Sequence, residues 1–152
     1  MKKSEWGPCI WKMLHVLTVK IKDEQFEKQR ANLIEIISNI CGNLPCPICS
    51  THAKSLLQKY KFQHAKTKEL LILILIKIHN EVNKKLRKPI QEASVMKQYY
   101  KTLNTREIIQ DYYIKNMNMR FGEKMMMNSF HRNLFLNKFK TYVRTNLSDF
   151  DE

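Results

Sequence analysis

Residues 70–76 are Leu-Leu-Ile-Leu-Ile-Leu-Ile, and Ile78 follows after a single lysine. Thr67 stands just before this run, and threonine is a residue whose hydroxyl caps helix N-termini. A helix that is apolar nearly all round has no natural solvent face, so it belongs at the centre of a domain with other helices packed around it. The run is too short to cross a bilayer, which takes roughly 20 apolar residues. The rest of the chain supplies the surrounding helices. Trp11, Leu14, His15, Leu17 and Thr18 recur at helical spacing within about Trp6–Ile21, with Pro8 tolerated near a helix start. Phe26, Leu33, Ile36, Ile37 and Ile40 mark a second helix after Asp23, which Gly42, Asn43 and Pro45 terminate. A third starts at Cys46 with Ala53, Leu56, Leu57 and Tyr60. The apolar helix, the fourth, turns polar through Asn80–Lys88 and stops at Pro89, and a short fifth covers Ser94–Leu103. With only 3 Gly and 4 Pro in 152 residues, the composition fits an all-α chain with short loops.

Beyond Asn104 two more helices are expected. Ile108–Tyr112, Ile109–Tyr113, Phe135–Phe139 and Phe139–Val143 are i, i+4 pairs, and Met125–Met127 falls between the two helices. Such a tail holds enough apolar side chains to pack on something. The expected division is therefore a domain over residues 1–103 and a helical extension over 104–152. Met1–Glu5 is charged and lacks the apolar core of a signal peptide, so none is expected.

The net charge is +13, of which +10 falls in residues 1–100. A basic surface suits nucleic acid, acidic partners or an anionic cofactor, and also plain solubility. Neither a ribonucleoprotein signature nor zinc-finger spacing supports nucleic acid. All four cysteines, Cys9, Cys41, Cys46 and Cys49, lie in the first third, so they do not staple the chain as a framework.

Cys46-Pro47-Ile48-Cys49 follows a helix breaker and opens a helix. Two cysteines three apart on a first turn approach closely enough for a disulfide, and the helix N-terminus favours a thiolate. The same residues admit a second reading, a zinc-stabilised binding module with Cys46, Cys49 and His52 as ligands and Cys41 or His79 as the fourth. Three further clusters favour redox chemistry. Trp6-Gly7 leads to Trp11 and His15, whose rings project together at i, i+4. His79, Asn80 and Asn83 leave the apolar helix on one side, where plain packing rarely wants polar groups. Lys84, Lys85, Arg87 and Lys88 suit a phosphate or diphosphate, or a solvated helix C-terminus.

The segments WGPCIWKMLH, PCPIC with STH, and HNEVNKKLRKP resemble the Erv/ALR family of FAD-linked sulfhydryl oxidases, in the same order and at similar spacings, over about Trp6–Tyr100. The resemblance implies a four-helix bundle with a short fifth helix, FAD held in the bundle, and a homodimer. It implies Cys49 beside the flavin as the charge-transfer thiolate and Cys46 as the sulfur exchanged with substrate. Gly7, Trp11, His15, His52, His79, Asn80, Asn83, Lys85, Lys88 and Tyr100 would contact the cofactor, with Tyr99 an alternative to Tyr100. Implied partners are thiol-containing protein substrates, a thioredoxin-like carrier among them, and O2 as the acceptor that yields H2O2. Departures are Pro8 where an Arg is common, Ile74 where a Trp is frequent, and Ile76 and Ala93 where cellular members carry a structural disulfide. The chain lacks a second CxxC arm, as do the short viral members, so it is expected in the host cytoplasm or virion of a large DNA virus.

Overall fold

The computed structural model describes residues 2–117 and 126–152, the side chains of 126–129 excepted. Seven α-helices appear among the described residues: α1 Lys3–Val19, α2 Phe26–Gly42, α3 Pro47–Lys59, α4 Lys68–Lys85, α5 Ala93–Lys101, α6 Thr105–Met117 and α7 Met126–Asn146. The only extended pairing in these residues is one antiparallel bridge between Ile21 and Phe150. The fold is all-α, as the apolar periodicity requires. No helix of the described residues is long and apolar enough to cross a membrane.

The helix starts follow their local chemistry. The Thr67 hydroxyl accepts from Leu70 N–H at 3.1 Å and opens α4. Cys46 is the N-cap of α3, with Pro47 as its first residue, where the missing N–H costs nothing. α1 begins at Lys3, three residues before Trp6, and carries Pro8 inside it. α4 departs from the expectation of a helix buried all round. Leu71, Ile72, Leu75 and Ile78 are buried, but Leu70 and Leu73 are 43% and 37% exposed and share an outer face with exposed Lys77.

The main core lies among α1–α4 and joins Trp6, Met13, Leu17, Leu33, Ile37, Ile40, Leu71 and Leu75. Ile109 and Tyr112 of α6, Phe135, Leu136 and Phe139 of α7, and Phe150 are part of the same cluster. The extension is thus packed against α1 and α2, each buried apolar side chain contributing about 1.5–3 kcal/mol. Polar contacts close it. Gln29 on α2 is buried and donates to Asn146 at 2.9 Å and to Asp149 at 2.6 Å, and accepts from Tyr142 at 2.7 Å. Asp151 N–H donates to Lys20 C=O at 2.7 Å and Lys22 N–H to Asp149 C=O at 2.9 Å. Met125 lies outside the described residues, as do the side chains of Met126 and Met127. Phe130 and Leu134 stand 60% and 52% exposed on the outer side of α7.

A second, smaller core of Val19, Ile72, Ile76, Met96 and Tyr100 fastens α5 across α1 and α4. Ile76 is buried there and Ala93 packs against the cluster, so apolar contact holds α5 where the disulfide of cellular members would.

Candidate functional site

The cysteine pair sits in a loop fixed at both ends. Asn43 closes α2 by donating from its amide to Asn39 C=O at 2.7 Å. Ser50, in the first turn of α3, accepts from Leu44 N–H at 2.9 Å, and its own N–H bonds Cys46 C=O at 3.0 Å. These bonds set the two sulfurs on one side of the helix start. Cys49 N–H donates to Cys46 Sγ at 3.2 Å, and both thiols are free and half-buried. Burial opposes charge on Cys46, but hydrogen bonds from the Cys49 thiol and backbone and the nearby Lys3 ammonium outweigh it, and the Cys46 thiol is held below its ordinary range. Cys49 is pushed up, by burial first and then by the proton it shares with Cys46. Of the two thiols, Cys46 is the one shifted towards easier ionisation.

His52 lies one turn beyond Cys49, and burial together with Lys85 and Lys3 keeps it neutral, while Glu81 pulls the other way. Glu81 itself is engaged, accepting from Lys59 at 2.7 Å and from the Tyr60 hydroxyl.

Deeper, four rings from three helices stack. Trp11 lies on His79 with centroids 3.9 Å apart and planes 6° from parallel, and His15 lies on Tyr100 at 4.2 Å and 14°. His15 Nε2 meets His79 Nδ1 at 2.9 Å. His15 is fully buried, and its Nδ1 has no hydrogen-bond partner among the described residues. An unpartnered buried imidazole nitrogen is costly, which marks a place where a polar ligand atom would be welcome. Burial, then the charge of His79, holds His15 well below the ordinary imidazole range. His79 falls to about 4 through burial and the charge of Lys88. Burial raises Tyr100 to about 12. All three rings are neutral near pH 7.

The structure brings most of the expected residues to this strip. Trp11 and His15 come from α1, His79 and Asn83 from α4, and Tyr100 from α5. Tyr100, not Tyr99, meets His15, because Tyr100 is on the buried face of α5 and Tyr99 is 48% exposed. Lys85 and Lys88 are exposed beside it. The chain reverses at Arg87, which takes a left-handed conformation (φ 57°), and Lys88 N–H returns to Asn83 C=O at 2.8 Å. That turn keeps the Lys88 charge near His79. Asn80 is committed elsewhere: its amide donates to Gln91 C=O at 2.9 Å and accepts from Gln91 N–H at 3.0 Å, clamping the segment after Pro89. A Cβ at Gly7 would meet nothing within 4 Å, so packing inside the chain does not demand glycine there. No motif singles out Lys3, which lies ahead of the first conspicuous tryptophan.

The zinc arrangement is not formed. Among the described residues no three His, Cys, Asp or Glu side chains converge as a metal site. Cys41 is buried in the main core, its thiol pushed up to about 12 by burial, and His79 is taken up by Trp11 and His15. The ring cluster, by contrast, suits a flat heterocyclic cofactor with an anionic tail. It offers aromatic faces, an orphaned imidazole nitrogen and a flanking run of lysines.

The Erv1 / Alr family model matches residues 8–101. An FAD-linked sulfhydryl oxidase of African swine fever virus (isolate Tick/Malawi/Lil 20-1/1983) is 34% identical over 104 residues, covering 67% of this chain and 87% of that protein. The FAD-linked sulfhydryl oxidase ERV2 of Saccharomyces cerevisiae is 31% identical over 98 residues, 64% of this chain and 50% of its own length. No solved structure matches significantly. The matched span runs from just before the first ring pair, Trp11 and His15, through the cysteine loop and the end of α4 to just past Tyr100, and on this ground the chain belongs to the Erv1/Alr family.

Proposed function

We propose that the chain is an FAD-linked sulfhydryl oxidase that forms disulfides in thiol-containing proteins. The observation that carries the reading is the presence of two parts in one fold. One is a half-buried Cys46–Cys49 pair at a helix N-cap, and the other a stack of neutral rings in which a His15 nitrogen has no partner among the described residues.

Cys46 exchanges with substrate. A substrate thiolate attacks Cys46 Sγ of the oxidised pair, and the mixed disulfide is resolved by a second substrate thiol. The N-cap position, the Cys49 N–H and the helix dipole stabilise the sulfur that carries charge. Cys49, the more protonated partner, hands its electrons inward. Trp11, His15, His79, Asn83 and Tyr100 would hold the FAD rings, and Lys85 and Lys88 its diphosphate, while Asn80 fixes the segment carrying those lysines. FAD held there would supply a two-electron acceptor for the reduced pair, with O2 as the final acceptor and H2O2 as the product. The burial that keeps His15 and His79 neutral also keeps water and stray protons from the ring cluster.

The relatives in African swine fever virus support a viral source, which the reading includes. A visible spectrum of the purified protein tests the proposal, together with oxygen uptake on a small dithiol. A flavin band with thiol-dependent oxygen consumption is expected. A colourless protein that cannot be loaded with FAD would overturn the reading.

A further inference from the structure

The polar end of α4 fastens three different parts of the fold with three successive residues. Neighbours on a helix point about 100° apart, so each of them reaches a different element. His79 lies on Trp11 and meets His15 of α1 at 2.9 Å. Asn80 clamps Gln91 in the segment after Pro89. Glu81 turns to the far end of α3. It accepts from Lys59 Nζ at 2.7 Å and from the hydroxyl of Tyr60, the C-cap of α3. The Lys77 ammonium, one turn back on α4, lies 6.0 Å from the Tyr60 ring centroid and closes the same corner. Lys59 first, and then Tyr60, hold the Glu81 carboxyl below its ordinary range, so it is charged near neutral pH. Among the described residues no other hydrogen bond joins α3 or its cap to α4.

α3 carries Cys49 in its first turn and Lys59 as its last residue, about 15 Å further along the axis. Its start is tied to the end of α2, where Ser50 accepts from Leu44 N–H at 2.9 Å. Its end is tied to α4 through Glu81. The helix with the redox pair is therefore slung between α2 and the helix that carries His79 and Asn83, and Glu81 is its polar attachment on the side of the rings.

We propose that Glu81 is a positioning residue: bonded to Lys59 and Tyr60, it holds α3 at the spacing from α4 at which Cys49 can pass electrons to a flavin among the rings. This rests on the sulfhydryl-oxidase reading. In that step Cys46 and Cys49 lose their thiol protons and their sulfurs join. The two electrons leave through Cys49 to FAD, the oxidant, with one proton, and the other proton goes to solvent. Glu81 touches none of the reacting atoms. It acts through the placement of α3, and a misplacement of about 1 Å can cost on the order of a hundredfold in rate. The Lys59 and Glu81 side chains are 59% and 32% exposed, so their ion pair adds little to stability. Its loss should loosen α3 without unfolding the chain.

The test compares the full chain with Glu81→Ala, Tyr60→Phe, Glu81→Lys and the Lys59→Glu, Glu81→Lys pair. Amide hydrogen exchange along α3 is measured first, on protein without flavin. Each protein is then loaded with FAD and reduced anaerobically with dithiothreitol. The readouts are the long-wavelength charge-transfer absorbance of thiolate against flavin and the rate of flavin reduction. Glu81→Ala should raise exchange in the second half of α3 about tenfold, while α2 keeps its protection. It should also lose most of the charge-transfer band and slow flavin reduction about tenfold, with the KM for dithiol unchanged. Tyr60→Phe should show the same changes at smaller size. Glu81→Lys should match Glu81→Ala, and the reversed pair should recover most of the band, since the ion pair re-forms. A band and a reduction rate unchanged in both Glu81→Ala and Tyr60→Phe would overturn the role of Glu81, and so would a reversed pair no better than Glu81→Lys. An unmodified chain that takes up no flavin, with exchange along α3 still raised in Glu81→Ala, would overturn the oxidase reading and leave the clamp on α3 standing.

Discussion

His15 and His79, 64 residues apart in sequence, meet at 2.9 Å between Nε2 and Nδ1. One nitrogen must donate and the other accept, so the bond exists only while at least one ring is neutral. Burial ensures this for both, and it ties α1 to α4 at the spot where Trp11 and Tyr100 add their faces.

That bond predicts an acid-sensitive site. Both histidines have folded-state values below their unfolded one near 6.5, so between that value and about 4 the unfolded chain binds more protons. Stability is therefore full above about pH 6.5 and falls as pH drops towards 4. His79 alone accounts for about 3 kcal/mol of that fall. Urea titrations at pH 7.5 and pH 4.5 should show it, and His79→Gln should flatten the dependence. An unchanged slope in His79→Gln would mean that His79 is not the buried, neutral ring described.

Cys49→Ser should bind FAD and stay yellow, because the rings and lysines that would retain the cofactor are untouched. Its dithiol oxidation should fall to the rate of uncatalysed autoxidation. Oxygen uptake at near-normal rate would sink the assignment of Cys49 as the inner sulfur.

Cys9 and Cys41 should resist alkylation in the native protein. Burial raises Cys9 to about 11, aided by Asp111, and Cys41 to about 12, so neither holds thiolate near neutral pH. The Cys9→Ser, Cys41→Ser double variant should turn over a small dithiol normally, with a lowered Tm from the two buried hydroxyls. A folded, yellow but inactive variant would reveal a shuttle thiol.

The extension should be needed for stability. A chain ending at Leu103 would uncover Cys9 and Gln29 and remove Ile109, Tyr112, Phe135, Leu136, Phe139 and Phe150 from the main core, and self-association or a large fall in Tm is expected, with flavin binding kept wherever the protein stays folded. Gln29→Ala in the full chain is the milder test. It removes the partner of Tyr142, Asn146 and Asp149 and should cost about 2–4 kcal/mol in a denaturant titration. A loss below about 0.5 kcal/mol would show that the C-terminal segment is not held in this way.

Local chemistry carried much of this molecule in its sequence. Thr67 capping α4, Cys46 capping α3 ahead of Pro47, and the Trp11–His15 and His79–Asn83 spacings depend on residues three or four apart, which helical geometry alone brings together. The cysteine pair and the polar end of α4 were legible for that reason. What joins segments far apart in the chain was not. Periodicity cannot tell Tyr99 from Tyr100, and only the packing of α5 on Ile72 and Ile76 turns Tyr100 onto His15. Nor could it show that Asn80 is spent on Gln91, or that Phe150 returns to pair with Ile21. Such contacts depend on how whole helices are placed against one another, and that is settled by the joint burial of apolar faces from every part of the chain.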